Sequence, residues 1–470
     1  MEVLQRTANR GSIATGGYDI ANSVKIEADN AEVFKRTYGS GGNVQKWTFS
    51  VWYKRTELTG GRIFGLQTGG NTFLQFASDK LRWYVAGNDQ YTEAVYRDTS
   101  AWYHIVLQFD TTQATASNRT KIYVNGVQQT LTGGYVNQYT SSIINSATTH
   151  GLGGNEFFNS EQVNGYMAEV HFVDGQALEP SDFGEYDSDS GIWKPKEYEG
   201  TYGTTGWYLD FEDAANLGDD VSGNNNHWTE TNITSADQAT DTPTNNFATI
   251  SVTAQYTNSF IIINQSNITN GATKITKTDV SAWGGGVGTM GVKSGKWYYE
   301  GKIYDIDDLM LGFSTFSGNI GANQSPHTIG TNIVYYGGGA SGSYWFYHID
   351  SGSQVSNASN RGTVWSVGDI IGIALDLDNS KVNFYVNGSL AGSNNTNVDI
   401  SDVTNEINST GDFLVPFTGM WRSTIEFNFG GYTVTSISSP ETDENGYGTF
   451  EYAPPSGYYA LCTKNLAEYG

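Results

Sequence analysis

Ala101-Trp102-Tyr103-His104-Ile105-Val106-Leu107, followed downstream by Lys121-Ile122-Tyr123-Val124 and then Asn125-Gly126, decides the fold. The first run mixes large apolar and smaller residues as a strand with one face on a core does. The second ends on the dipeptide best suited to a type I′ hairpin, since both residues tolerate positive φ. The same style recurs on either side. Trp47-Thr48-Phe49-Ser50-Val51-Trp52 alternates upstream. Far downstream, Gly295–Glu300 and Ile370–Asp378 read as strands, and Val382-Asn383-Phe384-Tyr385-Val386 runs into a second hairpin dipeptide, Asn387-Gly388. A single helical turn is expected near Glu179–Phe183, with Pro180 at its first position. Many short strands at this spacing predict antiparallel β-sandwiches rather than a parallel sheet with helices.

Composition agrees. Aromatic residues make up 14% of 470 residues, glycine contributes 57, and charged residues are only 16%. Tyr, Trp, Thr, Val and Ile suit pleated, half-buried surfaces, while Gly and Asn supply turns. The net charge of −24 repels phosphate backbones and anionic lipid, which argues against nucleic acid and membrane partners. Such a surface favours solubility or divalent cations. Apolar stretches such as Phe260–Ile263 and Ile370–Leu375 are strand-sized, so no membrane insertion is expected. Met1–Gly11 lacks the apolar core of a secretion signal. Cys462 is the single cysteine, so no intramolecular disulfide forms.

The length suggests about two to four domains. Residues 1–22 read as an irregular arm and anchoring segment, 23–232 as a first β-sandwich, 233–255 as a polar linker, and 256–470 as a second sandwich. The boundary falls near residue 250, after the polar, proline-containing stretch Ser235–Asn246.

Several segments resemble known families. Asp98–Val106, Asp110–Ala114, Lys121–Gly126, Gly165–Phe172, Asp174–Leu178 and Asp220–Trp228 together resemble the laminin-G/concanavalin-like domain common in marine tailed-phage proteins. Arg6–Ser12 is similar to the usual start of those proteins. Ser294–Glu300, Leu311-Gly312-Phe313, Gly368–Gly372, Asp376-Leu377-Asp378, Phe384–Gly388 and Pro454–Tyr458 resemble a SPRY domain. The resemblance implies a non-enzymatic phage structural protein: a fibre, spike or decoration subunit on the particle surface, made in the host cytoplasm. Its implied partners are other virion proteins, further copies of itself (a trimer is usual for fibres) and a host surface glycan. A purely architectural subunit binding only virion proteins is the alternative.

Candidate sites are few. Glu27, Asp29 and Glu32 have the Glu-x-Asp-x-x-Glu spacing of a glycoside hydrolase family on a concanavalin-like sandwich, which would make the chain a glycan depolymerase. The competing reading is a set of solvated acids on an edge strand. Asp219, Asp220, Ser222, Asn224 and Asn226 offer hard oxygens for calcium, or an Asx-rich turn satisfying its own backbone. Asp305, Asp307 and Asp308 form a second acidic cluster. No Cys/His constellation suggests zinc; His104 reads as a packed or edge residue within a strand, and Cys462 has no obvious activating neighbour beyond Lys464. Aromatic residues near Gly/Asn/Ser-rich loops remain as ligand-binding candidates. These are Trp83, Tyr84 and Tyr91 in the first domain, and Tyr335, Tyr336, Tyr344, Trp345 and Tyr347 in the second.

Overall fold

The computed structural model describes residues 17–66, 71–155, 161–188, 190–253, 261–262, 267–278, 283–315, 330–338, 344–349, 355–356, 364–392, 395–433 and 435–470. The chain is all-β, and it divides into two compact units between Asn246 and Phe247. Most of the expected arm, 1–16, lies outside the described residues. Among the described residues no helix is long and apolar enough to cross a membrane.

The first unit packs two antiparallel sheets face to face. One runs in the order Val127–Gln128, Thr120–Val124, Trp102–Asp110, Lys46–Arg55, Gly165–Asp174, Ser23–Ile26 and Gln238–Ala239, and Trp207–Leu209 also pairs with Gly165–Asp174. The other runs Leu131–Gly133, Asn88–Thr92, Lys80–Val85, Thr72–Ala77, Gly61–Leu66, Thr149–Leu152, Val33–Thr37 and Thr229–Thr231. Period-two alternation sends Trp47, Phe49, Val51 and Tyr53 inward, where they meet Phe64, Trp83, Phe109 and Trp207. The Asn125-Gly126 turn has φ of 49° and 79°, as a type I′ hairpin requires.

The second unit is also a sandwich. Its larger sheet centres on Ser423–Asn428, Lys296–Asp305, Ile370–Asp376 and Lys381–Val386; the other centres on Leu414–Met420, Asp308–Thr315, Asn332–Gly338 and Tyr344–His348. Asn387-Gly388 repeats the hairpin solution, with φ of 49° and 74°. Two helices were not expected: Ser401–Thr410 and Thr463–Tyr469. Ser401–Thr410 is poor in strong helix formers, yet it buries Val403, Thr404 and Ile407 and ends on Gly411 at φ 77°. Packing of one face overrides propensity there. The expected turn near Pro180 is present as a 3-10 helix, Pro180–Asp182, with proline at its start.

The polar stretch expected to be a linker is folded into both units. Gln238–Ala239 pairs with Ser23–Ile26, and Ala248 and Ile250 join the second core. Residues 254–260 lie outside the described set. Its polar side chains bond to buried groups of the first sheet instead of to water. The Lys54 Nζ, on the sheet's outer face, donates to Asp241 Oδ2 at 2.6 Å and to Asn246 Oδ1 at 2.7 Å. Trp102 Nε1 donates to the other Asp241 oxygen at 3.0 Å. Lys54 and Asp241 side chains are 0% and 1% exposed. A second clasp joins Lys25 to Glu32 at 2.9 Å and to Asp237 at 2.8 Å.

Two histidines of this unit are held neutral. Trp193 Nε1 donates to His104 Nδ1 at 2.9 Å, so Nε2 carries the ring proton and faces Ser50 Oγ at 2.9 Å. The backbone N–H of Asn145 likewise donates to His150 Nε2 at 3.1 Å. A second ring proton would point at a donor in each case. Burial pushes His104 down to about 3 and His150 down to about 4.

Replacing Lys54 with Met leaves the Asp241 carboxylate buried without its cation and is expected to cost about 3–5 kcal/mol of stability. Lys54→Met with Asp241→Leu recovers part of that loss, the remainder being the Trp102 N–H left without an acceptor. Calorimetry of the full chain checks both; equal stability of the single and double variants would remove the ion pair from the account. The histidines set a pH dependence. Their folded pKa values lie below the ordinary 6.5, so the unfolded chain takes up protons first as pH falls. Stability is then full above about pH 6.5 and declines towards pH 4, by at most about 1.4 kcal/mol per pH unit for each ring. Denaturant unfolding at pH 7.5, 6 and 5 should show a shallower decline for His104→Gln than for the wild type.

Candidate functional site

The face of the second sheet turned away from the core carries the strongest constellation. Strand register lays out two adjoining rows. One runs Thr132, Tyr91, Arg82, Gln75, Arg62. The next runs Asp89, Tyr84, Phe73, Gly65, Gly151, Lys35. Tyr84 stacks on Phe73 with centroids 5.4 Å apart. The Arg62 and Arg82 guanidinium groups lie 4.4 and 5.2 Å from the Phe73 centroid, and Arg82 is 5.6 Å from both Tyr84 and Tyr91. Arg82 also grips Asp89 through two bonds of 2.7 and 2.9 Å, and Tyr91 Oη donates to Asp89 at 3.3 Å. A Cβ on Gly65 would lie 2.6 Å from Phe73 Cβ, so only glycine lets these strands approach.

Half-buried aromatic rings beside a planar Arg–Asp pair can stack on the apolar face of a sugar while the fork hydrogen-bonds its hydroxyls. Of the first-domain candidates, Tyr84 and Tyr91 stand on this face. Trp83 does not: it is 0% exposed in the core, edge-on to Trp47 at 5.7 Å. Adjacent strand residues point to opposite faces, so Trp83 and Tyr84 cannot share a site. That same alternation, applied to Thr72–Ala77 and Lys80–Val85, identifies Phe73, Arg62's neighbour Gln75 and Arg82 as outward, and sequence reading overlooked them.

The second-domain aromatics do not converge. Tyr335 is buried in the core, stacked on Phe384 at 4.6 Å and edge-on to Trp365 at 4.9 Å. Trp345 and Tyr347 stack at 5.9 Å against that core, and Tyr347 Oη donates to Asp402 at 3.0 Å. Tyr336 points to the opposite face and donates to Asp308. The Tyr344 side chain lies outside the described residues.

Most of the acidic candidates are held in structural roles, while Asp29 and Asp305 are exposed. Glu27, Asp29 and Glu32 surround a 3-10 turn, Ala28–Asn30, that precedes Ala31 at φ 54°, and so they do not line one strand face. Glu32 accepts both from Lys25 Nζ and, at 2.7 Å, from the Glu27 backbone N–H. In the expected calcium loop, Asp220 accepts backbone N–H groups of Tyr208, Ser222 and Asn226. Asn224 and Asn226 donate their amides to carbonyls of Gly203, Thr204 and Gly206, and Arg36 donates to Asn226 Oδ1. Asp219 contacts His227 at 2.7 Å. A guanidinium thus stands where a cation was expected, and the oxygens are already engaged. Asp307 pairs with Arg422 at 3.6 Å, while Asp308 takes the Tyr336 hydroxyl and Asp305 is exposed. Among the described residues, no three His, Cys, Asp or Glu side chains are grouped to hold a metal.

Ser50 and His104 form a serine–histidine contact in the first sheet, but the proton on His104 Nε2 faces the hydroxyl. The imidazole therefore donates to serine and cannot accept its proton, the reverse of what a nucleophile needs.

Comparison with known proteins agrees with this architecture. Residues 30–182 match the model of the Concanavalin A-like lectin/glucanases superfamily, laminin-G type, and residues 296–432 match the SPRY domain. Over 110 residues the chain is 32% identical to the ATP-dependent RNA helicase DDX1 of Xenopus laevis, a match covering 23% of this chain and 13% of the helicase. Solved structures similar to it include the SPRY domain of human HERC1, with 17% identity and a TM-score of 0.24 over 34% of this chain and 89% of that one. Another is the LG4-5 pair of the mouse laminin alpha1 chain, with 10% identity and a TM-score of 0.29 over 93% and 88%. The chain carries a laminin-G-type, concanavalin-like domain followed by a SPRY domain.

Proposed function

We propose that this chain is a glycan-binding structural subunit of a phage particle, a fibre, spike or decoration protein that binds without turning its ligand over. The observation that carries the binding role is the outward pair Tyr84 and Tyr91 around the Arg82–Asp89 fork, with the Phe73 ring buried beneath them. The lectin-containing superfamily matched by residues 30–182 supports the same ligand class. Placement on a virion follows from the resemblance of its segments to phage proteins, and self-association and contact with other virion proteins follow from that placement. The engagement of Glu32 by Lys25 favours binding over hydrolysis.

The experiment is a glycan array on the purified full chain, with and without EDTA. Tyr84→Ala, Tyr91→Ala and Arg82→Ala are each expected to weaken the bound glycan about tenfold, the equivalent of ~1.4 kcal/mol for a lost stacking or forked contact. EDTA should change nothing, because the Asp220 oxygens are already filled by backbone donors. Binding that survives all three substitutions, or a wild type that binds no glycan as an assembled particle component, would turn the proposal towards a purely architectural subunit.

A further inference from the structure

Lys54, on the outer face of the first sheet, is held by more than an ion pair requires. Its ammonium, 0% exposed, touches a carboxylate, Asp241 at 2.6 Å, and a carboxamide, Asn246 at 2.7 Å. The carboxamide is oriented: Nδ2 donates to the Ser100 carbonyl at 2.7 Å, which turns Oδ1 towards the lysine. A carbonyl oxygen lies about 1.2 Å from its carbon, so the lysine nitrogen is within about 4 Å of Asn246 Cγ. Reacting atoms in a productive geometry stand roughly 3–3.5 Å apart, so the amine is poised near the carbon of an amide.

Aromatic rings enclose the three groups. Trp102 donates to Asp241 Oδ1, its ring stands 6.4 Å from that of Tyr166, and Lys54 Nζ lies 5.8 Å from the Tyr166 centroid. Lys54, Asp241, Asn246, Trp102 and Tyr166 are all buried, so water, the nucleophile that would compete for the carboxamide, is kept away. Lys25 offers a contrast within the same sheet. It is as deeply buried, but Glu32 and Asp237, which hold it, are carboxylates, and a negative charge resists attack by an amine. Asn246 presents a neutral carbonyl carbon instead.

We infer that the folded chain joins Lys54 to Asn246 through an isopeptide bond, with Asp241 as the proton carrier. Asp241 takes one proton from the ammonium across the 2.6 Å contact, leaving a neutral amine. The amine nitrogen attacks Asn246 Cγ, and the new N–C bond forms. Asp241 passes its proton to Nδ2, the Cγ–Nδ2 bond breaks, and ammonia leaves past the half-buried Ser100. Asp241 then accepts the surplus proton of the new amide nitrogen. The products are one amide, one neutral carboxylic acid and one ammonia; the step needs no oxidant or cofactor and strands no charge. The ion pair is the state that precedes it. Lys54 lies on Lys46–Arg55, inside its sheet, and Asn246 is the last residue of the first unit. The bond spans 192 residues and anchors the end of that unit to an interior strand, so tension applied at Phe247 reaches the strand directly. A chain with a single cysteine thereby gains the staple that a disulfide would provide.

Mass spectrometry of the purified, denatured full chain, intact and after trypsin, is the test. The wild type is expected to be lighter than its sequence by one molecule of ammonia and to yield a branched fragment linking Lys54 to Asn246. Asn246→Ala keeps the Lys54–Asp241 pair and is expected to show the full sequence mass, with ordinary cleavage after Lys54. A wild type at its full sequence mass and cleaved after Lys54 would overturn the bond. So would an ammonia loss without the branched fragment that maps to Asn125-Gly126 or Asn387-Gly388, where closure to a cyclic imide releases the same molecule. Loss of water, with Lys54 joined to Asp241, would overturn the choice of Asn246 as the acceptor.

Discussion

The buried Lys54–Asp241 pair is the constraint on which the first domain depends. A sandwich has two outer faces, and a sheet whose outer face carries Trp52, Trp102 and a lysine must be covered or solvated. Here it is covered. The chain returning through residues 237–246 brings Asp241 and Asn246 to Lys54, and the 2.6 Å contact is shielded almost completely from water. Desolvating two charges is unfavourable by several kcal/mol per ion, so the pair contributes little net stability. What it does is dictate placement: the closing segment has one position in which no charge is stranded.

The same logic recurs around it. Glu169, at φ 50° beside a bulge, accepts from Tyr18 and Tyr208 at 2.9 and 2.8 Å and so ties the incoming chain to the same sheet. In the second domain, Glu300 accepts the backbone N–H groups of Glu451 and Tyr452, and Glu426 accepts the hydroxyls of Thr433 and Thr435. Burial raises the Glu300 pKa, as expected of a carboxyl held by neutral donors away from water. Each domain thus closes one outer face with a terminal segment held by buried ionisable groups. Polar residues chosen for that purpose look, in sequence, like a linker.

That explains what was legible beforehand and what was not. Strand periodicity and the two Asn-Gly turns are local signals, and local signals predict the sandwiches and the hairpins directly. Whether Asp241 is solvated or clamped to Lys54 depends on a contact 187 residues away, and nothing near Asp241 reports it. The calcium reading failed for a related reason. Asp220, Asn224 and Asn226 do form the expected oxygen-rich loop, but Arg36 enters it from a strand 190 residues earlier. The aromatic candidates failed differently. Trp83 and Tyr84 were grouped by proximity in sequence, although a strand separates neighbours by the full thickness of the sheet. Parity, available from the sequence, would have kept Tyr84 and Tyr91, discarded Trp83 and added Phe73 and Arg82.

Closing one face also determines where recognition can reside. With the first sheet roofed by residues 175–206 and 237–246, its Ser50–His104 contact is sealed beneath Trp193 and excluded from chemistry with an outside ligand. Among the described residues, no such clasp covers Arg82, Tyr84, Asp89 and Tyr91 on the second sheet, and they remain half-buried. These side chains are already ordered by stacking and by the Arg82–Asp89 fork, so a ligand meets groups whose rotamers are largely set. Preorganisation of that kind lowers the entropy lost on binding, which matters most for sugars, whose individual contacts are weak. The buried charges that fasten one side of the sandwich leave to the other side the face on which we propose that a glycan binds.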